Sequence, residues 1–399
     1  MLSSVIQGKR KRRRGNGNQI IHTIRNWSLK GQAYTESEAI GGYATSVNAD
    51  GAVVVNAGRN ALNAPFLNVG RWNSGSQSWS YSKINLAPQD GEIVTSISDD
   101  GNVIAVGFEG FGGGNVYTST TNVIIYAWNS SSWSQRGSAI STRSVSSSID
   151  ISGDGSVLAI GEPYFADETP SSNTRVRIFR WSGISWIAHG NTILKLGLTD
   201  VTRLFGWKVS LDGSGDTVAI GTQSVDAGVD IYRLNGSTWS QLGNRSQYET
   251  VSDGWNGCDA VKLDSTGNFM VVAGYQESSQ GGSDTLGVIR VFRWTGSTWT
   301  KVGNDITQPA FYSNNEPDVS LSMDGTASRI IVGTRQLASD GGDSSIKVYD
   351  WNGTGWELSA TVTHGATDSN NGFNPKLSLD GQTITFGAPN TKTSAVYTT

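Results

Sequence analysis

One cysteine, three histidines and 16% charged residues leave this 399-residue chain poor in the groups from which catalytic and metal sites are usually built. Cys258 alone can form no intrachain disulfide, so stability must come from packing. His22, His189 and His364 share no spacing with one another or with Cys258, which removes the pattern expected of a zinc site or a Cys–His nucleophile. No apolar run reaches the roughly 18 residues that a membrane-spanning helix needs. The opening Met1 to Gly8 is too short and polar for the apolar core of a signal peptide, so the chain is expected to stay in a cytoplasm or to leave it by lysis. The eight prolines are expected outside the repeated strand cores, because proline donates nothing to a ladder.

The chain is rich in glycine, with 50 residues, and in tryptophan, with 14. Both fall into a repeat. An aliphatic-x-x-Asp phrase recurs at Asp50, Asp100, Asp154, Asp212, Asp264, Asp324 and Asp380, at intervals of 50, 54, 58, 52, 60 and 56 residues. Each is followed by an apolar run. A second phrase joins two tryptophans across a short turn: Trp72/Trp79, Trp128/Trp133, Trp181/Trp186, Trp294/Trp299 and Trp351/Trp356, with Leu234/Trp239 in the fourth copy. Four short strands per unit at this period predict an all-β, seven-bladed β-propeller with four antiparallel strands, a to d, in each blade. In the fifth copy strand a is expected at 260–263, b at 268–273, c at 287–294 and d at 299–302. The Asp-Gly pairs suit tight hairpins, because Asp, Asn and Gly tolerate positive φ.

The seventh copy has strands a, b and c, at 376–379, 383–386 and 394–398, and no strand d. Trp27-Ser28-Leu29-Lys30-Gly31 matches Trp239-Ser240-Gln241-Leu242-Gly243 and Trp299-Thr300-Lys301-Val302-Gly303. The segment 25–34 is therefore expected to be the outer strand of the last blade, closing a ring over 25–399 behind an arm at 1–24. Twelve of the 14 tryptophans then belong to the repeat and are expected to be structural; Trp207 and Trp255 lie off it.

Phe205-Gly206-Trp207-Lys208-Val209-Ser210-Leu211, Asp216 to Gly221 and Phe386-Gly387-Ala388-Pro389 resemble the FG-GAP repeats of integrin-alpha-type propellers. They are closer to a divergent branch found in marine microbes and their viruses. The resemblance implies a fold and no activity, because propellers host unrelated functions. The D-x-D-x-D-G calcium loop of the integrin type is absent, so neither a metal site nor any cofactor is expected.

No catalytic residues are expected, since a repeated Asp at a hairpin is a turn residue and the histidines are scattered. The one strong charge motif is Lys9, Arg10, Lys11, Arg12, Arg13 and Arg14, in a stretch without acids; residues 15–399 carry 24 basic against 34 acidic side chains. Such an arm is expected to meet a counter-charged partner, with nucleic acid reached only through it. The b–c and d–a loops are long and differ between blades, so that face is expected to carry recognition, with Tyr164, Phe165, Trp255 and Tyr275 as apolar contacts. Together these features predict a non-enzymatic structural and recognition protein of a virion, on the capsid surface, tail or fibre. It would be anchored by its arm among other structural proteins and turned toward a host glycan or receptor. The alternative is a secreted microbial adhesin or lectin at the cell surface; a glycan-processing enzyme stands third.

Overall fold

The computed structural model describes residues 27–35, 39–89, 92–109, 121–142, 148–163, 174–195, 204–223, 228–243, 255–276, 286–309, 312–313, 316–317, 319–334, 345–362, 373–388 and 393–399. The arm at 1–24 lies outside them. Every regular element among the described residues is a strand. After β1 (Ser28–Leu29) and β2 (Tyr34–Thr35), blade one comprises β3 (Ala39–Val47), β4 (Val53–Asn60), β5 (Pro65–Asn73) and β6 (Ser78–Asn85). Blade two holds β7 (Glu92–Ile97), β8 (Val103–Glu109), β9 (Thr121–Trp128), β10 (Trp133–Gln135) and β11 (Ile140–Thr142). Blade three follows with β12 (Ser148–Ile151), β13 (Val157–Glu162), β14 (Arg175–Trp181), β15 (Trp186–Ala188) and β16 (Ile193–Leu194). Blade four has β17 (Leu204–Leu211), β18 (Thr217–Gln223), β19 (Gly228–Asn235) and β20 (Thr238–Gln241). In blade five are β21 (Trp255–Leu263), β22 (Phe269–Gln276), β23 (Leu286–Trp294), β24 (Trp299–Lys301) and β25 (Ile306–Pro309). A small hairpin, β26 (Tyr312–Ser313) and β27 (Glu316–Pro317), leads to blade six: β28 (Val319–Met323), β29 (Arg329–Thr334), β30 (Ser345–Trp351) and β31 (Trp356–Val362). Blade seven has β32 (Phe373–Leu377), β33 (Thr383–Ala388) and β34 (Thr393–Thr398).

All pairings among the described residues are antiparallel; β11, β16 and β25 pair with β9, β14 and β23 beside the outer strands β10, β15 and β24, and otherwise sequence neighbours pair, except in blade seven. β34 takes its outer partner from the front of the chain: Ser28 pairs with Thr398, Leu29 with Tyr397 and Tyr34 with Ser394. The seven-bladed ring with its N-terminal outer strand is thus as expected. The core lies between blades. Second strands are buried on both faces, and alternate residues serve opposite neighbours: Val103 and Ala105 pack toward blade three, Ile104 and Val106 toward blade one. This is why these strands read as continuous apolar runs.

The repeat needs one correction. The first residue of each a–b turn is Asn48, Ser98, Ser152, Asp212, Asp264, Asp324 or Ser378, whose backbone N–H donates to the carbonyl five residues later. Asp212, Asp264 and Asp324 therefore stand where Ser152 stands, two residues before the position of Asp154. The loop between these residues has four members, not two. Two chemical solutions fill the same turn. In blade three Ser152 Oγ accepts from Val157 N and donates to Asp154 (2.7 Å), whose Oδ1 accepts from Ser156 N. In blade four Asp212 Oδ1 accepts from Asp216 N and Thr217 N, while Ser214 Oγ donates to its other oxygen (3.0 Å). Either way a side-chain oxygen satisfies backbone donors that the turn would leave unpaired.

The paired tryptophans meet across the c–d turn with ring centroids 5.2–5.6 Å apart. They also grip the preceding blade. Where an outer strand reads Trp-x-x-x-Gly, the glycine adopts φ between 73° and 81° (Gly31, Gly137, Gly190, Gly243, Gly303). That turn presents the preceding carbonyl to the next blade's indole: Trp79 Nε1 donates to Lys30 O (2.8 Å), Trp186 to Arg136 O (2.9 Å), Trp239 to His189 O (2.7 Å), Trp299 to Leu242 O and Trp356 to Val302 O. A side chain at Gly31 or Gly137 would strike those rings. Blade one has Lys83 at the glycine position, its outer strand β6 runs on unbroken, and Trp133 Nε1 is buried without an acceptor among the described residues.

The first strand of blade five starts earlier than expected, at Trp255, and that of blade seven spans Phe373–Leu377; β3, β17, β21 and β32 each carry a register shift. The bulge breaks the alternation that a sequence reading relies on. Pro375 lies inside β32, at its bulge, where a ladder donor is not required.

Candidate functional site

The seven first strands surround a cavity of about 250 Å³ on the ring axis. Its wall is set by the residue two before each a–b turn: Ser46, Ser96, Asp150, Ser210, Lys262, Ser322 and Lys376. In four blades the oxygen at this position accepts a backbone N–H from the next blade. Ile151 N donates to Ser96 Oγ (3.1 Å), Leu211 N to Asp150 Oδ2 (2.9 Å), Leu263 N to Ser210 Oγ (3.1 Å) and Leu377 N to Ser322 Oγ (3.2 Å). Ser46 Oγ instead donates to Thr95 O (2.9 Å). Lysine cannot accept, so Lys262 and Lys376 make no such latch. One step nearer the turn face a second ring closes fully. Ala49 N donates to Asp99 O, Asp99 N to Gly153 O, Gly153 N to Gly213 O, Gly213 N to Ser265 O, Ser265 Oγ to Gly325 O, Gly325 N to Leu379 O and Asp380 N to Ala49 O, all at 2.7–3.1 Å.

Asp150 is the electrostatic hub. It accepts from Ser96 Oγ (2.8 Å), Ser210 Oγ (3.2 Å), Leu211 N and, across the channel, Lys262 Nζ (3.0 Å). Burial pushes its carboxyl up, but Lys262 and these hydrogen bonds outweigh that and hold it below the usual carboxylate range. Lys376 is the opposite case. Burial and the neighbouring Lys262 and Lys208 push its ammonium down to about 8, against the opposing pull of Asp150. Asp99, at the turn-face end of the cavity, is raised by burial and by Asp100, Asp150 and Asp154, with Lys262 opposing.

The residues expected from sequence fare unevenly. Lys9, Arg10, Lys11, Arg12, Arg13 and Arg14 lie outside the described residues, as do Tyr164 and Phe165 and most of the long b–c and d–a loops. The backbones of Trp255 and Tyr275 lie at one end of blade five, where Trp255 pairs with Gln276 and Asn256 with Tyr275. Both belong to strands β21 and β22, not to the loops beside them. Trp207 sits in the β17 bulge, half-buried, with Lys208 Nζ 5.2 Å from its ring. In the same bulge Phe205 is fully buried and Gly206 takes φ 89° against blade three. Sequence reasoning missed the channel lysines. Lys262 and Lys376 each lie two residues before the first member of their turn, a shared position that the misplaced turns of blades four to six kept from being compared across the ring.

Among the described residues no group of three His, Cys, Asp or Glu side chains is arranged to hold a metal ion. No family model matches the chain, and no curated protein is significantly similar to it. Among solved structures it is similar to the beta-propeller domain of Cps50 (Swd1) from Myceliophteria thermophila, at a TM-score of 0.60, with 9% identity, over 94% of this chain and 99% of that one. This likeness shows the fold. The protein is a β-propeller.

Proposed function

We propose that the protein is a non-enzymatic structural and recognition component of a multi-chain assembly, a virion surface, tail or fibre, held there by its basic arm. The observation that carries this reading is where the arm is tethered. Trp27 is buried at 3% exposure and β1 is locked to β34, so the point of attachment at Trp27 lies on the outer strand of blade seven. A cationic segment joined to the outer edge of a closed ring suits anchoring. The repeated polar side chains support the same reading, because those of the a–b turns are engaged in closing turns and seams. Kinship with FG-GAP-like repeats of marine viruses is part of the proposal; the buried Phe205 and the Gly206 bulge give that phrase a structural role.

The test is to replace Lys9, Arg10, Lys11, Arg12, Arg13 and Arg14 with neutral residues. The ring should unfold as before, while incorporation into the parent assembly falls. Wild-type association should weaken with salt, since exposed charges are screened over about 8 Å at physiological ionic strength. Normal incorporation of the neutral variant, or salt-insensitive association, would contradict anchoring by charge.

A further inference from the structure

Three lysines converge on the axial cavity: Lys208 from β17, Lys262 from β21 and Lys376 from β32. Lys262 is matched by Asp150. Among the described residues no carboxylate lies within ion-pair distance of Lys376 or Lys208. The groups acting on Lys376 are two ammoniums and one carboxylate, and that carboxylate is already engaged by Lys262, Ser96, Ser210 and a backbone N–H. Asp259 also lines the cavity, and Asp99 lies toward its turn-face end.

Packing gives no reason for this arrangement. At Ser96, Asp150, Ser210 and Ser322 the same ring position latches one blade to the next. At Lys262 and Lys376 that latch is given up and a cation is placed in a confined space beside other cations, which costs free energy. The remaining wall carries the hydroxyls of Thr45, Ser46, Ser320 and Ser322; Thr45 and Ser46 give their protons to Asn374 O and Thr95 O, while Ser322 Oγ, which accepts from Leu377 N, keeps its own proton to donate. Donors arriving from several sides, with ammoniums acting as point charges, suit a compact polyvalent acceptor better than a planar carboxylate, for which a guanidinium fork is the usual match.

We propose that the axial cavity binds a tetrahedral oxyanion, phosphate or sulfate, between Lys376, Lys262 and Lys208, either as the free ion or as the terminal group of a larger ligand. The bound anion supplies the negative charge that Lys376 lacks and draws a proton onto it. This site is independent of the arm, and neither proposal needs the other.

Isothermal titration calorimetry on the full chain tests it, with inorganic phosphate, inorganic sulfate and glycerol 3-phosphate as probes. Saturable binding at neutral pH is expected, weakened about tenfold or more by Lys376→Met. Lys83→Met, on the outer strand of blade one, should change nothing. Near pH 8 sulfate binding should take up protons, read as a heat that varies with the ionisation enthalpy of the buffer. Equal affinity for phosphate and its ester would favour a terminal group on a larger ligand, and preference for inorganic phosphate would favour the free ion. Three results would each overturn the site: no saturation by about 10 mM of any probe, an unchanged affinity in a folded Lys376→Met variant, or sulfate binding without proton uptake.

Discussion

Between blades two and three, Val103 and Ala105 meet Leu158 and Ile160, and the four side chains are almost entirely buried. Between blades seven and one, the corresponding second-strand positions carry Thr383 and Thr385 on one side and Val54 and Asn56 on the other. The assignment follows from alternation: Ile384 and Phe386 are committed to blade six, and Val55 and Ala57 to blade two. Thr385 Oγ1 and Asn56 Oδ1 are buried without a hydrogen-bond partner among the described residues. The closing seam is therefore polar and incompletely satisfied at these positions, whereas most second-strand residues of the other seams are apolar, with Thr217, Thr222 and Arg329 among the buried exceptions. Hydrogen bonds and the outer strand hold it instead: Thr45 Oγ1 to Asn374 O (2.9 Å), Lys30 Nζ to Gly51 O (2.8 Å), Asp380 N to Ala49 O and Trp79 Nε1 to Lys30 O.

The largest test of this contrast removes the outer strand. A chain starting at Ala33 loses β1, the acceptor of Trp79 and the whole of Trp27, a residue type whose burial alone is worth about 3–5 kcal/mol. It also bares the edge of β34, which invites pairing with other chains. Aggregation by light scattering, or a much lower melting temperature, is expected. A monomeric chain with unchanged unfolding would show that blade seven does not need its front strand.

Next in size is Asp150→Ala, on the well-latched side. It leaves Lys262 without its counter-charge and frees the Leu211 N–H, for an expected loss of about 3–5 kcal/mol in denaturant unfolding. A loss under about 1 kcal/mol would mean that the latch ring contributes little and that apolar packing suffices at those seams too.

Lys376→Met acts in the other direction. Because its ammonium is held down at about 8 from an ordinary 10.5, the folded chain binds that proton less readily than the unfolded one. Wild-type stability should rise as pH climbs from about 8 toward 10.5, with the full penalty present below that window. The variant should lose that slope and gain about 1–3 kcal/mol at neutral pH. The upper figure assumes no relief through channel water. A parallel pH dependence in both proteins would contradict it.

The smallest expected effect is Thr385→Val, which replaces a buried hydroxyl lacking a partner with a methyl group. It should stabilise by about 1 kcal/mol. The matching change at Ser210, whose oxygen latches Leu263, should destabilise instead.

How far the sequence could be read follows from these particulars. The tryptophan pairs marked the outer hairpins because direct cross-strand pairing leaves both rings at fixed positions on either side of a short turn. The match of residues 27–31 to later copies placed the front strand in blade seven. The a–b turn was misaligned in blades four to six because aspartate can cap it from its first or its third position, and both uses carry glycine nearby. That error of two residues concealed the ring of Ser46, Ser96, Asp150, Ser210, Lys262, Ser322 and Lys376, which becomes visible only in register. The polar character of Thr383 and Thr385 was plain in the sequence. Its meaning was not, since it depends on which faces meet when the ring closes.

Native-state hydrogen exchange compares the seams most directly. The Asp380 amide, bonded to Ala49 O, reports on the closing seam and the Lys30 amide, bonded to Val396 O, on the outer strand of blade seven; the Asp99, Gly153 and Gly213 amides report on the seams from blade two to blade five. If closure rests on a polar seam and an outer strand, Asp380 and Lys30 should exchange through an opening of markedly lower free energy than the other three, with the rest of the ring still protected. Equal protection at all five amides, lost only on global unfolding, would contradict the account and make the seventh seam as strong as the rest.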